Sequence, residues 1–322
     1  AKRDGAICVG AIDGAIWVSH LKQKDSFKLP ATYVLKDKIK GVKEQRIPLI
    51  LEEKRETFHE IFVERKDEVA YLHFDFHNGA MSSEQAIRLK YAVDYLKEEC
   101  KVLVLMGGEE FFSNGIHLNI LEDSKKQGED GWSNINAMND VVKSVLFAED
   151  IITIASFSKN AGAGGVFLGL ACDYVLAREG VVFNPHYKTM GLSGSEYHTF
   201  SFYKRVDKEI ASSILEKCIP VGSRKAKSIG MIDEVFESEN YDKSLEEFCE
   251  NLLSDEDSFE EFIDEKKDFL YENETSIEKL KEEELKRMYP EFWDEESSFH
   301  NLRKEFIYKK EHEDSLKRLK EL

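Results

Sequence analysis

The chain has 322 residues, 42% apolar and 34% charged, enough for one large core or two smaller ones. Its net charge of −18 excludes the basic footprint that nucleic acid needs and gives no support for an anionic membrane surface. No apolar run approaches the ~20 residues that cross a bilayer, no signal-peptide pattern is present, and five scattered cysteines without metal spacing fit a reduced, cytoplasmic, metal-free protein.

Residues 1–20 read as two short strands joined through Gly10 and the Asp13-Gly14 turn signal. Two strands make no stable core alone, so they complete a domain or lean on the next segment of chain. The chain starts at Ala1 inside a strand-like pattern, as a fragment or processed product would. Gln23 to Arg55 is polar and lysine-rich and reads as a linker with one short helix, interrupted by Ile47 to Leu51.

A clearer domain begins near Phe58. Glu60–Arg65 and Val69–Phe76 form a hairpin around Lys66-Asp67. Ser82 or Ser83 caps a helix over Glu84–Glu99, with Ile87, Tyr91, Val93, Tyr95 and Leu96 expected mainly on one face. Val102–Met106 is continuously apolar, a strand buried on both sides. Gly107-Gly108 breaks it, and Glu109–Leu121 loops back to a helix. Lys125–Asn134 reads as a surface loop before a helix over Asn134–Phe147.

The stretch Ile151–Glu196 repeats the plan: a β-branched run, the glycine turn AGAGG (Ala161–Gly165), and an apolar helix (Val166–Leu170). A helix without a polar face is buried, and its first turn offers free backbone N–H groups. Such a place holds a developing oxyanion. A dinucleotide fingerprint is disfavoured: Gly162 and Gly164 fit, but Phe167 stands at the third glycine and no acidic residue closes the next strand. The glycines also fit plain helix–strand packing. The second turn, FFSNGIHLN, could aim a donor at the same oxygen, although spacing alone favours two unrelated turns. A further strand (Val181–Phe183) opens into a loop with His186, Tyr187, Ser193, Ser195 and Glu196. Beyond it come helices over Asp207–Lys217 and Ser223–Gly230, and a strand over Ile232–Phe236. Strands alternating with helices argue for an α/β domain. Residues 241–322 hold 27 acidic and 14 basic side chains and read as acidic amphipathic helices, mostly solvated, broken at Pro290.

The order HNGAM, VLVLMGG, FFSNGIHL, ASFSKNAGAGGVFLGLACD, VVFNPHYKTMGLSG resembles the crotonase (enoyl-CoA hydratase/isomerase) superfamily over roughly Phe58–Phe236. The resemblance implies a crotonase-like spiral of strand-strand-helix units and binding of a coenzyme A thioester. Its oxyanion donors would be the N–H groups of Ile116 and Gly164. The CoA chain would pass His77, Asn78, Asn114, His117 and Leu118. The two hydratase glutamates fall on Phe167 and Tyr187, and neither replaces a carboxylate near neutrality. Simple hydration is therefore disfavoured. Some members carry a carboxylate further along the loop, which leaves Tyr187 and Glu196 as the polar pair facing the thioester. His186, beside Pro185, reads as a wall residue rather than a base, and Phe167, Phe183, Met190 and Leu192 as a dry pocket.

YKTMGLSGSEYHTF and the opening RDGAICVGAIDGAIWVSHLK together resemble two-domain hydrogenase maturation factors. There a formyl-tetrahydrofolate-using domain precedes a crotonase-like one. The implied division is residues 1–35 as terminal strands of a formyltransferase-like domain, 36–57 as linker, 58–239 as the CoA thioester domain and 240–322 as an acidic helical tail. The implied chemistry is decarbonylation of formyl-CoA to CO and CoA, supplying CO for the [NiFe]-hydrogenase site. Tetrahydrofolate would enter only through the amino-terminal domain, and hydrogenase maturation proteins are the implied partners. A hydrolase, isomerase or decarboxylase of a larger acyl-CoA, and a non-catalytic CoA-binding module, are the competing expectations.

Overall fold

The computed structural model describes residues 1–52 and 57–310. Positions 53–56 of the expected linker and 311–322 of the expected tail lie outside them. The central sheet has seven strands: β1 (Leu51–Glu52), β2 (Ile61–Lys66), β3 (Val69–Phe74), β4 (Val102–Gly107), β5 (Ile152–Phe157), β6 (Tyr174–Arg178) and β7 (Glu234–Phe236), in the order β7-β6-β5-β4-β3-β2-β1. Within this sheet only β2 and β3 pair antiparallel, across the Lys66-Asp67 turn where Asp67 is left-handed (φ 53°). The rest of it is parallel. Consecutive parallel strands end at one sheet edge, so the turns after β4 and β5 leave side by side. That edge carries the site.

Alternate residues of β4 face two layers. Leu103 and Leu105 join the main core with Leu89, Val93 and Leu96 of α1 (Ser83–Lys97) and Met138, Val142 and Val145 of α2 (Gln127–Leu146). Val102 and Val104 join Tyr241, Leu245 and Cys249 of α4 (Tyr241–Leu253) and Ile263 of α5 (Glu256–Trp293). The helix α3 (Gly164–Leu170) is buried at every residue and joins the main core.

Four sequence expectations are corrected. The buried row of α1 is Ala86, Leu89, Ala92, Val93 and Leu96, while Ile87, Tyr91 and Tyr95 are exposed. Small alanines face the core because α2 packs closely there. Helix α2 begins at Gln127, so most of the expected surface loop is helical. Gly131 serves helix packing: a Cβ there would lie 2.5 Å from Phe292 Cε1. Pro290 does not break the tail, because α5 continues to Trp293 and closes with Asp294 N donating to Pro290 O (2.8 Å). The acidic tail is not merely a solvated surface, since α4 and the start of α5 form the second layer of the sheet, and Leu270, Ile277, Met288 and Phe292 of α5 join the main core.

The capping box of α1 forms as its sequence implies, with Ser82 and Gln85 satisfying each other's backbone. At the amino terminus Ala6–Gly10 and Ala15–Val18 pair antiparallel as expected, joined by Lys2–Arg3 as a third strand. The expected linker holds a helix, Ala31–Leu35, and a strand, Lys28–Pro30, paired with His20–Lys22.

Helix α5 is fixed to the sheet by Lys266, which donates to Asp173 Oδ2 (2.6 Å) and Ile151 O (2.8 Å). The same Asp173 oxygen accepts from Thr153 N (2.7 Å). Removing one partner of a buried ion pair leaves the other charge uncompensated. Lys266→Met is expected to cost about 3 kcal/mol, read from urea unfolding. A loss under about 1 kcal/mol would show that water already solvates Asp173.

Candidate active site

The two glycine turns touch. Ser113 bridges Ala161 in parallel, and Gly162 N donates to Ser113 O (2.9 Å). A Cβ on Gly165 would sit 2.2 Å from that oxygen, and one on Gly115 would sit 3.2 Å from Gly164 N. The backbone of Gly115-Ile116 therefore lies against the first residue of α3. Spacing alone favours two unrelated turns, and the strand order overrules it. Ala163 sets the entry to α3 in an unusual conformation (φ 44°, ψ −130°), held by its N–H on Asn184 O (2.9 Å).

Over this point lies the carboxylate of Glu196. A Cβ on Gly164 would meet its Cδ at 2.7 Å and its oxygens at 2.8 and 2.9 Å. Glu196 is 1% exposed. Tyr187 Oη donates to Glu196 Oε2 (2.6 Å) and lies 3.2 Å from Ser195 O. Burial pushes the Glu196 carboxyl above the usual range, against the opposing hydrogen bond from Tyr187. Burial, then the charge of Glu196, push the Tyr187 phenol well up. The Tyr187 ring stacks on Phe167 (centroids 5.4 Å, 17°). Phe167, Phe183 and Leu192 are buried and Met190 is half-buried; of these, Phe167 lies directly against the pair. His186 is half-buried beside Thr189 (3.4 Å).

The residues expected along the CoA chain gather on neighbouring turns. His77 and Asn78 form a short 3-10 turn in which Asn78 is left-handed (φ 55°). Asn114 Nδ2 donates to Asn78 O (2.7 Å), and Asn114 Oδ1 lies 2.9 Å from where a Gly162 Cβ would be. His117 caps the Leu118–Asp123 helix by accepting from Ile120 N (3.3 Å), and burial lowers its pKa to about 4. Leu118 is partly buried against the core.

Sequence reasoning missed four residues here. His20, from the amino-terminal strands, packs on His77 (centroids 4.0 Å) and near-parallel to His117 (6.2 Å). Burial, then the neighbouring histidines, hold it down to about 3, so it is neutral. Asn139 of α2 accepts from Glu196 N (3.1 Å). His198 packs on both Tyr187 and Phe167, and Glu284 of α5 is fully buried beside it (3.2 Å). Asn139 could have been suspected as a polar residue inside an otherwise apolar helix face. Among the described residues, no three donors are arranged to hold a metal ion.

The enoyl-CoA hydratase/isomerase family model matches residues 64–309. The chain belongs to that family. Over 315 residues it is 33% identical to the hydrogenase maturation factor HoxX of Bradyrhizobium diazoefficiens, a match that covers 96% of this chain and 54% of HoxX. The crystal structure of HypX from Aquifex aeolicus with tetrahydrofolic acid superposes with a TM-score of 0.92 at 43% identity, covering 97% of this chain and 57% of HypX. The chain thus spans little more than half the length of these relatives. An enoyl-CoA hydratase from Bacillus halodurans shares the fold alone, with a TM-score of 0.68 at 16% identity over 76% of this chain.

Proposed function

We propose that this chain splits formyl-CoA to CO and CoA, as the carboxy-terminal part of a hydrogenase maturation factor. In this reading an amino-terminal formyltransferase domain charges CoA from formyl-tetrahydrofolate, and residues 1–35 are that domain's last strands. The observation that carries the reading is the buried Tyr187–Glu196 pair lying against Gly164 (Oη–Oε2 2.6 Å). Phe167 removes the carboxylate a hydratase would use.

The N–H groups of Ile116 and Gly164 hold the formyl oxygen and fix its orientation. Glu196 takes the formyl hydrogen as a proton while the C–S bond breaks. The carbon leaves as CO, and the sulfur receives a proton from Tyr187, which Glu196 replenishes. Atoms balance without a redox partner. The apolar wall suppresses attack by water, which would yield formate instead. The His77-Asn78 and Asn114–Leu118 turns, joined by the Asn114–Asn78 bond, are the path for the CoA chain. The overall test is to add formyl-CoA to the chain and follow CO by the spectral shift of reduced haemoglobin. CoA binding without CO would favour the non-catalytic module, and turnover of a bulkier acyl-CoA would favour a hydrolase or decarboxylase.

The raised pKa of Glu196 gives a pH prediction with a definite sign. The base must be ionised, so CO release should climb with pH along a limb above the ordinary carboxylate range. A plateau already reached at about pH 4.5 would remove Glu196 as the base.

A further inference from the structure

The buried seam of α5 runs Ile263, Leu270, Ile277, Glu284, every seventh residue, with Met288 and Phe292 beyond. Three of the four heptad positions are apolar and one is a carboxylate. Glu284 is 0% exposed, and its Oε1 accepts from Thr199 N (2.7 Å) and from the Thr199 hydroxyl. His198 Nδ1 lies 3.2 Å from the same oxygen and 3.1 Å from Ser195 O. A glutamate in an apolar seam is costly unless its bonds serve something.

What those bonds hold is the segment carrying the catalytic pair. Glu196 and Tyr197 are consecutive non-glycine residues in the left-handed region, at φ 60° and 55°. Non-glycine residues are strained there, so the conformation persists only when its surroundings impose it. Two further glutamates of α5 grip the same segment. Tyr197 Oη donates to Glu278 Oε1 (2.8 Å), and Ser193 N donates to Glu291 Oε2 (3.0 Å). The His198 ring, steered by Glu284, also packs edge-on against Tyr187 (5.6 Å).

We infer that Glu284 is a positioning residue: through Thr199 and His198 it locks the Ser195–Tyr197 backbone so that the Glu196 carboxylate stays over Gly164. The tail helix is thereby a working wall of the active site. The turnover arm of the test rests on the formyl-CoA reading, whereas the exchange arm does not.

In Glu284→Ala, backbone amide exchange over 195–199 should quicken at least about ten-fold while exchange in β4 and β5 stays unchanged. The kcat for CO release should fall about thirty-fold or more, with KM for formyl-CoA within about three-fold. Glu284→Gln keeps an acceptor oxygen and should restore most of kcat and the slow local exchange. If Glu284→Ala does not accumulate folded, Thr199→Val removes one bond to the same carboxylate and should give the same local quickening at smaller size. Exchange that quickens equally throughout the sheet, or a folded Glu284→Ala with parental kcat and parental local exchange, overturns the assignment. A parent chain that releases no CO removes the formyl-CoA reading, while local exchange still decides the role of Glu284.

Discussion

Glu196→Gln is expected to lower CO release from formyl-CoA by about 100-fold or more, with CoA affinity changed by less than about three-fold. The substitution keeps the shape of the side chain and an oxygen to accept from Tyr187 (2.6 Å). It removes only the capacity to take a proton. The turns proposed to hold the CoA chain, Asn78 to Asn114 and His117, are made by other segments, so affinity has no reason to fall. Burial has a second consequence. The folded pKa of Glu196 lies above its unfolded value, so its contribution is most favourable at low pH and is lost as pH rises through the folded pKa. The amide has no charge to desolvate. At neutral pH Glu196→Gln should therefore be more stable than the parent, by about 1 kcal/mol, and the difference should vanish below about pH 4. Undiminished CO release would remove Glu196 from the reaction. A variant less stable than its parent at neutral pH would show that the ionised carboxylate is well satisfied where it lies.

Where the fold depends on local pattern, the sequence is a sufficient guide. The β2–β3 hairpin, the capped helix α1, the strands β4 and β5 and the buried α3 are all set by contiguous apolar runs and turn chemistry. Local reading fails where tertiary contacts use residues against their habit. Gly128 and Gly131 read as loop, yet they admit Phe292 and Trp293 of α5. Ile87, Tyr91 and Tyr95 read as core, yet Ala86, Leu89 and Ala92 take the core side of α1 with Val93 and Leu96. The glycine turns and the Tyr187–Glu196 pair can be singled out because their chemistry is local and because they match a family pattern. Asn139, His198 and Glu284 reach the pair only through folding, from 57, 2 and 88 positions away in the chain. The heptad of α5 does contain the signal for Glu284: a carboxylate in register with Ile263, Leu270 and Ile277. Net acidity hides it, because one glutamate among 27 acidic residues looks like solvated surface.

Gly164→Ala is expected to abolish most of the activity, about 100-fold, without harming the helix it starts. Gly164 carries no left-handed φ, and alanine is the better helix former by about 1 kcal/mol. The difficulty lies in front of the backbone. The added Cβ would meet the Glu196 carboxylate at 2.7–2.9 Å, a contact that real Cβ atoms do not make. The carboxylate cannot retreat freely, because Tyr187 bonds its oxygen while Asn139 and the left-handed turn at Glu196 and Tyr197 hold its backbone. Either the side chain leaves the donor pair or α3 shifts, and both spoil alignment. Gly164→Pro differs in an informative way. Proline is tolerated at the first position of a helix, but it deletes the proposed donor and forces Ala163 from its φ of 44°. That variant should lose both activity and stability, measured by CO release and thermal unfolding. If Gly164 acts through Glu196, pairing Gly164→Ala with Glu196→Ala should recover the stability lost to crowding and lose no further activity beyond Glu196→Ala alone. Fully additive losses in that double variant would mean that the two residues serve separate steps, and parental activity in Gly164→Ala would place the oxyanion elsewhere.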